Sequence, residues 1–154
     1  SIFLFILHIL MTTVTIGYWR LRGLAQPIRL LLAYTETPFQ EVVYDFAEKQ
    51  RWFDEDKKNI GFDFPNIPYL IDGDLKLTES SAIMKYLVKR SGKNELLGKN
   101  LQDEGSVESI LGVENDSLNE MRKLLAVKEN VEIAKAEALA KIKPKLDALK
   151  KFVG

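Results

Sequence analysis

The sequence predicts a mixed α/β domain followed by an all-helical segment, and three observations lead to this expectation. Two short runs rich in β-branched and aromatic residues flank a helical pattern, which is the spacing of a parallel strand pair joined by a crossover helix. An Asp-Gly turn then joins two further strand-like runs into a hairpin. In the last third of the chain, apolar residues recur at helical spacing.

The first strand pair lies near the start of the chain. Val14–Trp19 is rich in strand-forming residues, and Phe39–Tyr44 alternates as a second strand. Between them, Leu24–Thr35 carries apolar residues at helical spacing, with Pro27 in the first turn, where proline is tolerated. A strand, helix and strand of this length predict a parallel pair with a crossover helix.

The next segment completes the sheet. Lys49–Asn59 is polar apart from one Trp-Phe pair, and we expect a loosely packed helix or loop there. Pro68–Leu77 predicts a hairpin by its Asp-Gly turn. Thr78 is then expected to cap a helix that runs through Gly92. The order β-α-β-α-β-β-α predicts a mixed four-stranded sheet of thioredoxin-like topology.

We expect this thioredoxin-like domain to span residues 11–93, with 91–100 as a linker. Residues 101–154 then predict part of an all-α domain, incomplete in outline, with two apolar helical stripes. Pro144 should kink the second helix or restart it. The first stripe comprises Val107, Ile110, Leu111, Leu118, Met121 and Leu125, and the second comprises Leu139, Ile142, Leu146, Leu149 and Val153.

Composition excludes several classes of site. Basic and acidic residues both number 22, so no net charge favours nucleic acid or an anionic membrane as a partner. The sequence has no cysteine, which excludes disulfides, thiolate metal sites and a thioredoxin-type redox reaction. The single histidine, His8, excludes a serine–histidine triad and a multi-histidine zinc site.

An apolar leader, residues 1–10, precedes Met11. It is shorter than the roughly 20 apolar residues that span a bilayer, and it lacks the basic start and cleavage site of a secretory signal. We therefore expect Met11 to be the natural start and the leader to lie outside the fold.

Two segments carry a family resemblance. Gly61–Ile83 places an X-Pro bond before a strand, a hairpin and a helix that opens with Glu-Ser-Ser, and Gly17-Tyr18-Trp19 places a phenol at the end of the first strand. Together they resemble the glutathione-binding half of a cytosolic glutathione transferase, most closely of the mu class. The resemblance implies that the hydroxyl of Tyr18 donates a hydrogen bond to the glutathione sulfur and stabilises its thiolate.

The resemblance also implies the remaining glutathione contacts. The proline after Ile67 would follow a cis bond, which frees backbone groups of Asn66 and Ile67 to pair with the cysteinyl part of glutathione. Ser80 and the helix start would bind the γ-glutamyl carboxylate, with Glu79 near the ammonium, although mu enzymes usually carry glutamine there. Trp52 and a nearby lysine, Lys57 or Lys58, would hold the glycine carboxylate. The other implied contacts are Trp19, Leu24 and, toward the partner subunit's glutathione, Asn119.

The function implied by the resemblance is conjugation of reduced glutathione, as a co-substrate, to electrophilic small molecules by a cytoplasmic homodimer. No metal and no permanently bound cofactor is expected. Two alternatives stay open: a catalytically weak glutathione-binding or crystallin-like structural member, and a sigma-like prostaglandin isomerase. An intact Tyr18 favours the enzyme. The family's further C-terminal helices are not in this sequence, and their absence favours the first alternative.

Overall fold

The computed structural model describes residues 13–124 and 127–153, and the chain divides into two compact units with a boundary between Leu96 and Leu97. The expectations for residues 1–10, Met11, Leu125 and the side chain of Val153 lie outside the described residues. The first unit contains β1 (Val14–Trp19), α1 (Ala25–Tyr34), β2 (Phe39–Tyr44), a 3-10 turn (Phe46–Glu48), a π-helical segment (Arg51–Asp56), α2 (Lys57–Asn59), β3 (Tyr69–Asp72), β4 (Leu75–Thr78) and α3 (Ser80–Arg90).

The four strands of the first unit form one sheet in the order β2-β1-β3-β4. Strand β1 runs parallel to β2, and β3 is antiparallel to both β1 and β4. The predicted mixed four-stranded sheet is confirmed. In this register Tyr18 lies beside Val43 of β2, and Gly17 lies beside Tyr69 of β3.

Helices α1 and α3 pack against each other and cover an apolar core of the first unit. The spacing of apolar residues along β1 and along both helices explains this arrangement, because each element presents one apolar stripe. Burial of such a side chain stabilises the fold by roughly 1.5–3 kcal/mol. The buried members are Val14, Ile16, Ile28, Leu32, Leu70, Ile83 and Leu87.

A buried ion pair fixes α3 to the end of the hairpin. The carboxylate of Asp72 accepts hydrogen bonds from the guanidinium of Arg90 and, over 2.6 Å, from the hydroxyl of Tyr86. Burial raises the pKa of the Asp72 carboxyl, but these two hydrogen bonds outweigh burial and hold the pKa below its ordinary value. Burial, followed by the bond to Asp72, raises the pKa of Tyr86 to about 12.

One expectation for the first unit is wrong. Thr78 does not cap α3, because it still pairs with Tyr69 in the sheet and its hydroxyl donates to the carbonyl of Phe64 over 2.8 Å. The residue that precedes the helix is Glu79, in a left-handed conformation with φ 68°. The polar segment around Trp52 is helical, one of the two expected forms, and Trp52, 2% exposed, is its one buried side chain among residues 49–59.

The second unit contains α4 (Leu101–Leu124) and α5 (Val131–Val153), which pack against each other. Helix α5 continues through Pro144, so of the two expected effects of this proline, a kink or a restart, the restart does not occur. The buried line of α5 runs through Ala138 and Ile142. The expected stripes are therefore only partly right, because three of their members are exposed: Met121, Leu139 and Leu146.

Candidate active site

The hydroxyl of Tyr18 lies between the end of β1 and the start of α1. Its side chain is 7% exposed, and its oxygen accepts a hydrogen bond from the backbone N–H of Leu24 over 3.1 Å. Leu24 precedes α1, whose start has no side-chain cap, so the phenol oxygen serves one of the amides left over at the helix start. A phenol has one hydrogen to donate, and within the described residues this one donates to no other group.

Two glycines make room for this arrangement. Gly23 has φ +39°, and a Cβ there would lie 2.6 Å from the hydroxyl oxygen of Tyr18. A Cβ on Gly17 would lie 2.1 Å from the ring of Tyr69. The close approach of the loop to Tyr18, and of β1 to the Tyr69 ring, therefore requires glycine at both positions.

A buried aromatic cluster adjoins Tyr18. Trp52 stacks on Tyr69, with ring centroids 6.0 Å apart, and meets Tyr44 edge-on at 5.4 Å. The hydroxyl of Tyr44 donates to Asp56 over 2.7 Å and lies 3.1 Å from the hydroxyl of Tyr69. Because the one hydrogen of Tyr44 goes to Asp56, Tyr69 is the donor between the two phenols. The cluster comprises Tyr18, Ala25, Tyr44, Trp52, Phe62, Ile67 and Tyr69.

The phenols of this cluster differ in their use. Burial, followed by the hydrogen bonds with Tyr69 and Asp56, raises the pKa of Tyr44 above its ordinary value. Burial also raises the pKa of Tyr69, and the hydrogen bond with Tyr44 opposes that increase. Both phenols are committed to the bond network that fixes the π-helical segment to the sheet. Tyr18 is the phenol of the cluster whose hydrogen makes no hydrogen bond within the described residues.

Three further expected contacts each have a neighbour in the structure: Lys57, Lys58 and Trp19. The ammonium of Lys57 lies 5.9 Å above the ring of Phe53, whereas Lys58 pairs with Asp54 over 3.7 Å. Trp19 stacks on Phe46, with centroids 4.8 Å apart. Lys58 therefore already has a carboxylate partner. Within the described part of the chain, Lys57 forms no ion pair, and its ammonium contacts an aromatic ring.

The bond between Ile67 and Pro68 is cis, as the resemblance implied. The backbone N–H of Ile67 is not free, however, because it donates to the side-chain oxygen of Asn66 over 2.9 Å. The amide nitrogen of Asn66 in turn donates to the carboxylate of Glu79 over 3.2 Å. The side chain of Asn66 thus links the segment before β3 to the residue before α3.

The start of α3 is open. The side chain of Glu79 caps no amide of the helix, and Ser80, the first helical residue, is half-buried. The unsatisfied N–H groups of a helix start attract anions. Asn119, by contrast, lies on α4 in the second unit, where its side-chain oxygen accepts from Arg122 over 2.8 Å.

The structure thus brings several of the expected residues together. Tyr18, Trp52 and Ile67 belong to one buried cluster, with Trp19 and Leu24 packed against it.

The sequence reasoning missed Gly23, Arg29 and Glu41, whose contacts set the loop after β1. A charged residue within the alternating strand Phe39–Tyr44 was the one available signal for Glu41. No group of acidic or histidine side chains in the described part of the chain could hold a metal ion.

Residues 14–89 match the family model "Glutathione S-transferase, N-terminal domain". Over 147 residues the chain is 38% identical to "Glutathione S-transferase Mu 1" of Oryctolagus cuniculus, covering 91% of this chain and 64% of that protein. This chain belongs to the glutathione S-transferase family. Within the family it is similar to the mu class.

Two further comparisons agree with this assignment. The chain is 55% identical over 83 residues to "Glutathione S-transferase 2" of Gallus gallus, covering 50% of this chain and 37% of that protein. The crystal structure of the glutathione S-transferase Blo t 8 matches with a TM-score of 0.76 and 31% identity, covering 90% of this chain and 63% of that one. The chain therefore spans less than two thirds of the length of each of these three proteins.

Proposed function

We propose that this chain binds reduced glutathione in its first unit and transfers it to electrophilic small molecules. The observation that carries the proposal is the hydroxyl of Tyr18, which accepts from the N–H of Leu24 and keeps its own hydrogen for a ligand. In this proposal the glutathione-binding domain spans residues 11–93, and 101–154 belong to the helical domain.

The chemistry sets the size of the required effect. A free thiol has a pKa near 8.5, so keeping it ionised at neutral pH requires a shift of about 2 units, or ~3 kcal/mol. One hydrogen bond to the anion contributes roughly 1.5–3 kcal/mol. The start of α1 contributes a further ~0.3–1 kcal/mol. Donation from Leu24 to the phenol oxygen polarises the Tyr18 O–H bond and strengthens its donation to the sulfur.

The rest of the glutathione would be held by charges and helix ends. The open start of α3 and the hydroxyl of Ser80 are suited to the γ-glutamyl carboxylate, and the carboxylate of Glu79 to the ammonium. Lys57 and the indole of Trp52 would hold the glycine carboxylate. Pairing of the cysteinyl part with the backbone of Ile67 requires the side chain of Asn66 to release that N–H. Trp19 would complete the shell.

The proposed reaction is a displacement at carbon. The glutathione thiolate attacks the electrophilic carbon, the new C–S bond takes its electron pair from sulfur, and the leaving group departs with the pair of the broken bond. Glutathione is the co-substrate, and its thiol proton is lost to solvent on binding. The residues of the site need no general base, because the thiolate is formed before the attack.

We further propose a homodimer that acts in the cytoplasm, as in the cytosolic family it resembles. Phe64 supports the dimer, since its ring is 77% exposed whereas Phe62 is buried against Tyr69. In such a dimer Asn119 would face the partner subunit's glutathione. Light scattering of the purified chain tests the dimer, and Phe64→Ala should shift the mass to that of the monomer. No helix in the described part of the chain is long and apolar enough to cross a membrane.

A paired titration tests the function. Two properties are measured for the unmodified chain, Tyr18→Phe and Tyr34→Phe. Glutathione binding is measured by calorimetry, and turnover is measured as conjugation of an aryl halide. Tyr34 is the matched control because its ring is 62% exposed on α1. We expect Tyr18→Phe to keep binding and lose most of the turnover, while Tyr34→Phe changes neither. Binding without turnover in the unmodified chain would favour the catalytically weak alternative, and no binding would contradict the proposal.

A further inference from the structure

The loop between β1 and α1 is held by a guanidinium that lies outside the proposed glutathione contacts. The Nη1 group of Arg29 on α1 donates to the carbonyl of Leu21 over 3.1 Å, to that of Arg22 over 3.3 Å and, over 3.4 Å, to the side-chain oxygen of Gln26. Its other nitrogens donate to the carboxylate of Glu41 on β2, with the Nε bonds at 3.0 and 3.1 Å. The guanidinium thus joins the loop to the sheet.

This ion pair is well shielded. The side chains of Arg29 and Glu41 are 20% and 22% exposed, whereas the pair of Arg20 with Asp45 at the start of the same loop is 69% and 43% exposed. A planar guanidinium can serve a carboxylate on one edge and carbonyl groups on the other, which an ammonium cannot do in a fixed geometry. The arrangement therefore requires arginine.

The carbonyls that Arg29 holds lie just before the hydrogen bond that orients Tyr18. Leu21 and Arg22 are followed by Gly23, the most flexible kind of residue, and then by Leu24, whose N–H donates to the phenol. The first part of the loop has its own anchor, since the N–H of Arg20 donates to the carbonyl of Tyr44 over 2.8 Å. In the second part, the N–H of Gln26 donates to the carbonyl of Arg22 over 3.0 Å, and Arg29 adds the side-chain bonds to Leu21 and Arg22 that join this part to the sheet.

We propose that Arg29, braced by Glu41, is a positioning residue that fixes the loop so that the N–H of Leu24 meets the hydroxyl of Tyr18. This inference rests on the proposed function for its effect on the thiol. Its structural part, the placement of Leu24, holds without any ligand. Arg29 is not among the proposed glutathione contacts and acts only through the loop.

The first test needs no ligand. Amide hydrogen exchange is measured at Leu24 in the unmodified chain, in Arg29→Met and in Arg90→Met. Arg90 is the matched control, because its pair with Asp72 is shielded as well but joins the end of α3 to the end of β3, away from the loop after β1. We expect at least tenfold faster exchange at Leu24 in Arg29→Met, about the effect of one lost hydrogen bond, and no change in Arg90→Met. Equal exchange in all three overturns the inference.

The second test measures the pKa of the bound glutathione thiol from its thiolate absorbance. Arg29→Met should raise that pKa by about one unit. At a pH well below the pKa, this corresponds to a tenfold smaller fraction of thiolate. Arg29→Lys keeps the charge and should raise the pKa as well, because the fork is lost. An unchanged pKa in Arg29→Lys would assign the effect to charge and contradict positioning.

A double-mutant cycle separates action through Tyr18 from any independent effect. In a Tyr18→Phe background, Arg29→Met should leave the thiol pKa unchanged, since the hydrogen bond that it positions is already absent. An additive rise would overturn the inference. If the unmodified chain forms no bound thiolate, the proposed function fails, and the exchange of Leu24 still decides whether Arg29 positions the loop.

Discussion

The backbone N–H of Leu24 donates to the hydroxyl oxygen of Tyr18 over 3.1 Å, and this bond ties the end of β1 to the start of α1. The phenol oxygen accepts this bond from the backbone, and in the proposed site its own hydrogen is the one that glutathione would receive. The properties of the proposed site depend on this bond and on the loop that places Leu24.

Gly23→Ala should reduce the rate of conjugation by more than its loss of folding stability explains. A left-handed conformation costs a residue with a side chain roughly 1–2 kcal/mol, and the new methyl would lie 2.6 Å from the Tyr18 oxygen. Gly73→Ala is the control, because Gly73 has φ +59° and no atom within 4 Å of an added Cβ. Turnover and thermal unfolding are measured for both. Equal turnover in the two variants would count against the packing of Gly23 on Tyr18.

Ser80→Ala should weaken glutathione binding. A hydrogen bond to a charged group contributes about 1.5–3 kcal/mol, so the dissociation constant should rise by roughly 10- to 100-fold. Ser81→Ala removes the same hydroxyl from the next, exposed position of the first turn and should leave binding unchanged. Calorimetry on both variants checks this. A larger loss in Ser81→Ala would place the γ-glutamyl carboxylate elsewhere.

Lys57→Met should weaken binding of glutathione, and Lys58→Met should not. Lys58 is already paired with Asp54, and Lys57 lies over Phe53 beside the segment that carries Trp52. An exposed ion pair contributes up to ~1 kcal/mol, so we expect a change of about fivefold that decreases with added salt. The reverse order of the two lysines would assign the glycine carboxylate to Lys58.

Asp72→Asn should reduce stability at neutral pH and leave the protein less sensitive to acid. The folded pKa of Asp72 is lowered, so its contribution is present above the unfolded pKa of about 3.9 and is lost as the pH falls through the folded value. Both tryptophans of the sequence, Trp19 and Trp52, lie in the first unit and report its urea unfolding by fluorescence.

Asp74→Asn is the control for that experiment, because Asp74 is exposed in the turn of the same hairpin. The stability difference between the unmodified chain and Asp72→Asn should shrink below about pH 4. A difference that stays constant down to pH 2 would show that the carboxylate charge of Asp72 does not stabilise the folded state.

The strands were predictable because their signals are local. Val14–Trp19 and Phe39–Tyr44 have the observed bounds, and the Asp-Gly turn placed the hairpin correctly. Both depend on residue types and spacing within a few positions. The resemblance supplied the cis bond before Pro68 and the position of Tyr18, which composition and spacing alone do not identify.

What could not be predicted depends on contacts between distant segments. Thr78 has the chemistry of a helix cap, but its pairing with Tyr69 keeps it in the sheet. The helical pattern of α5 predicted a stripe through Leu139 and Leu146, but these two are exposed, and the buried line runs through Ala138 and Ile142 where α5 packs on α4. The fork of Arg29 joins carbonyl groups and a carboxylate from three segments, which no local pattern encodes.

Thiolate stabilisation by Tyr18 is tested by the pKa of the glutathione thiol bound to the unmodified chain and to Tyr18→Phe. This pKa is obtained from the thiolate absorbance as a function of pH at saturating glutathione. We predict a value about 2 units below the free thiol's for the unmodified chain, and a return toward the free value of about 8.5 for Tyr18→Phe. The same pKa in both proteins would contradict the assignment of thiolate stabilisation to Tyr18.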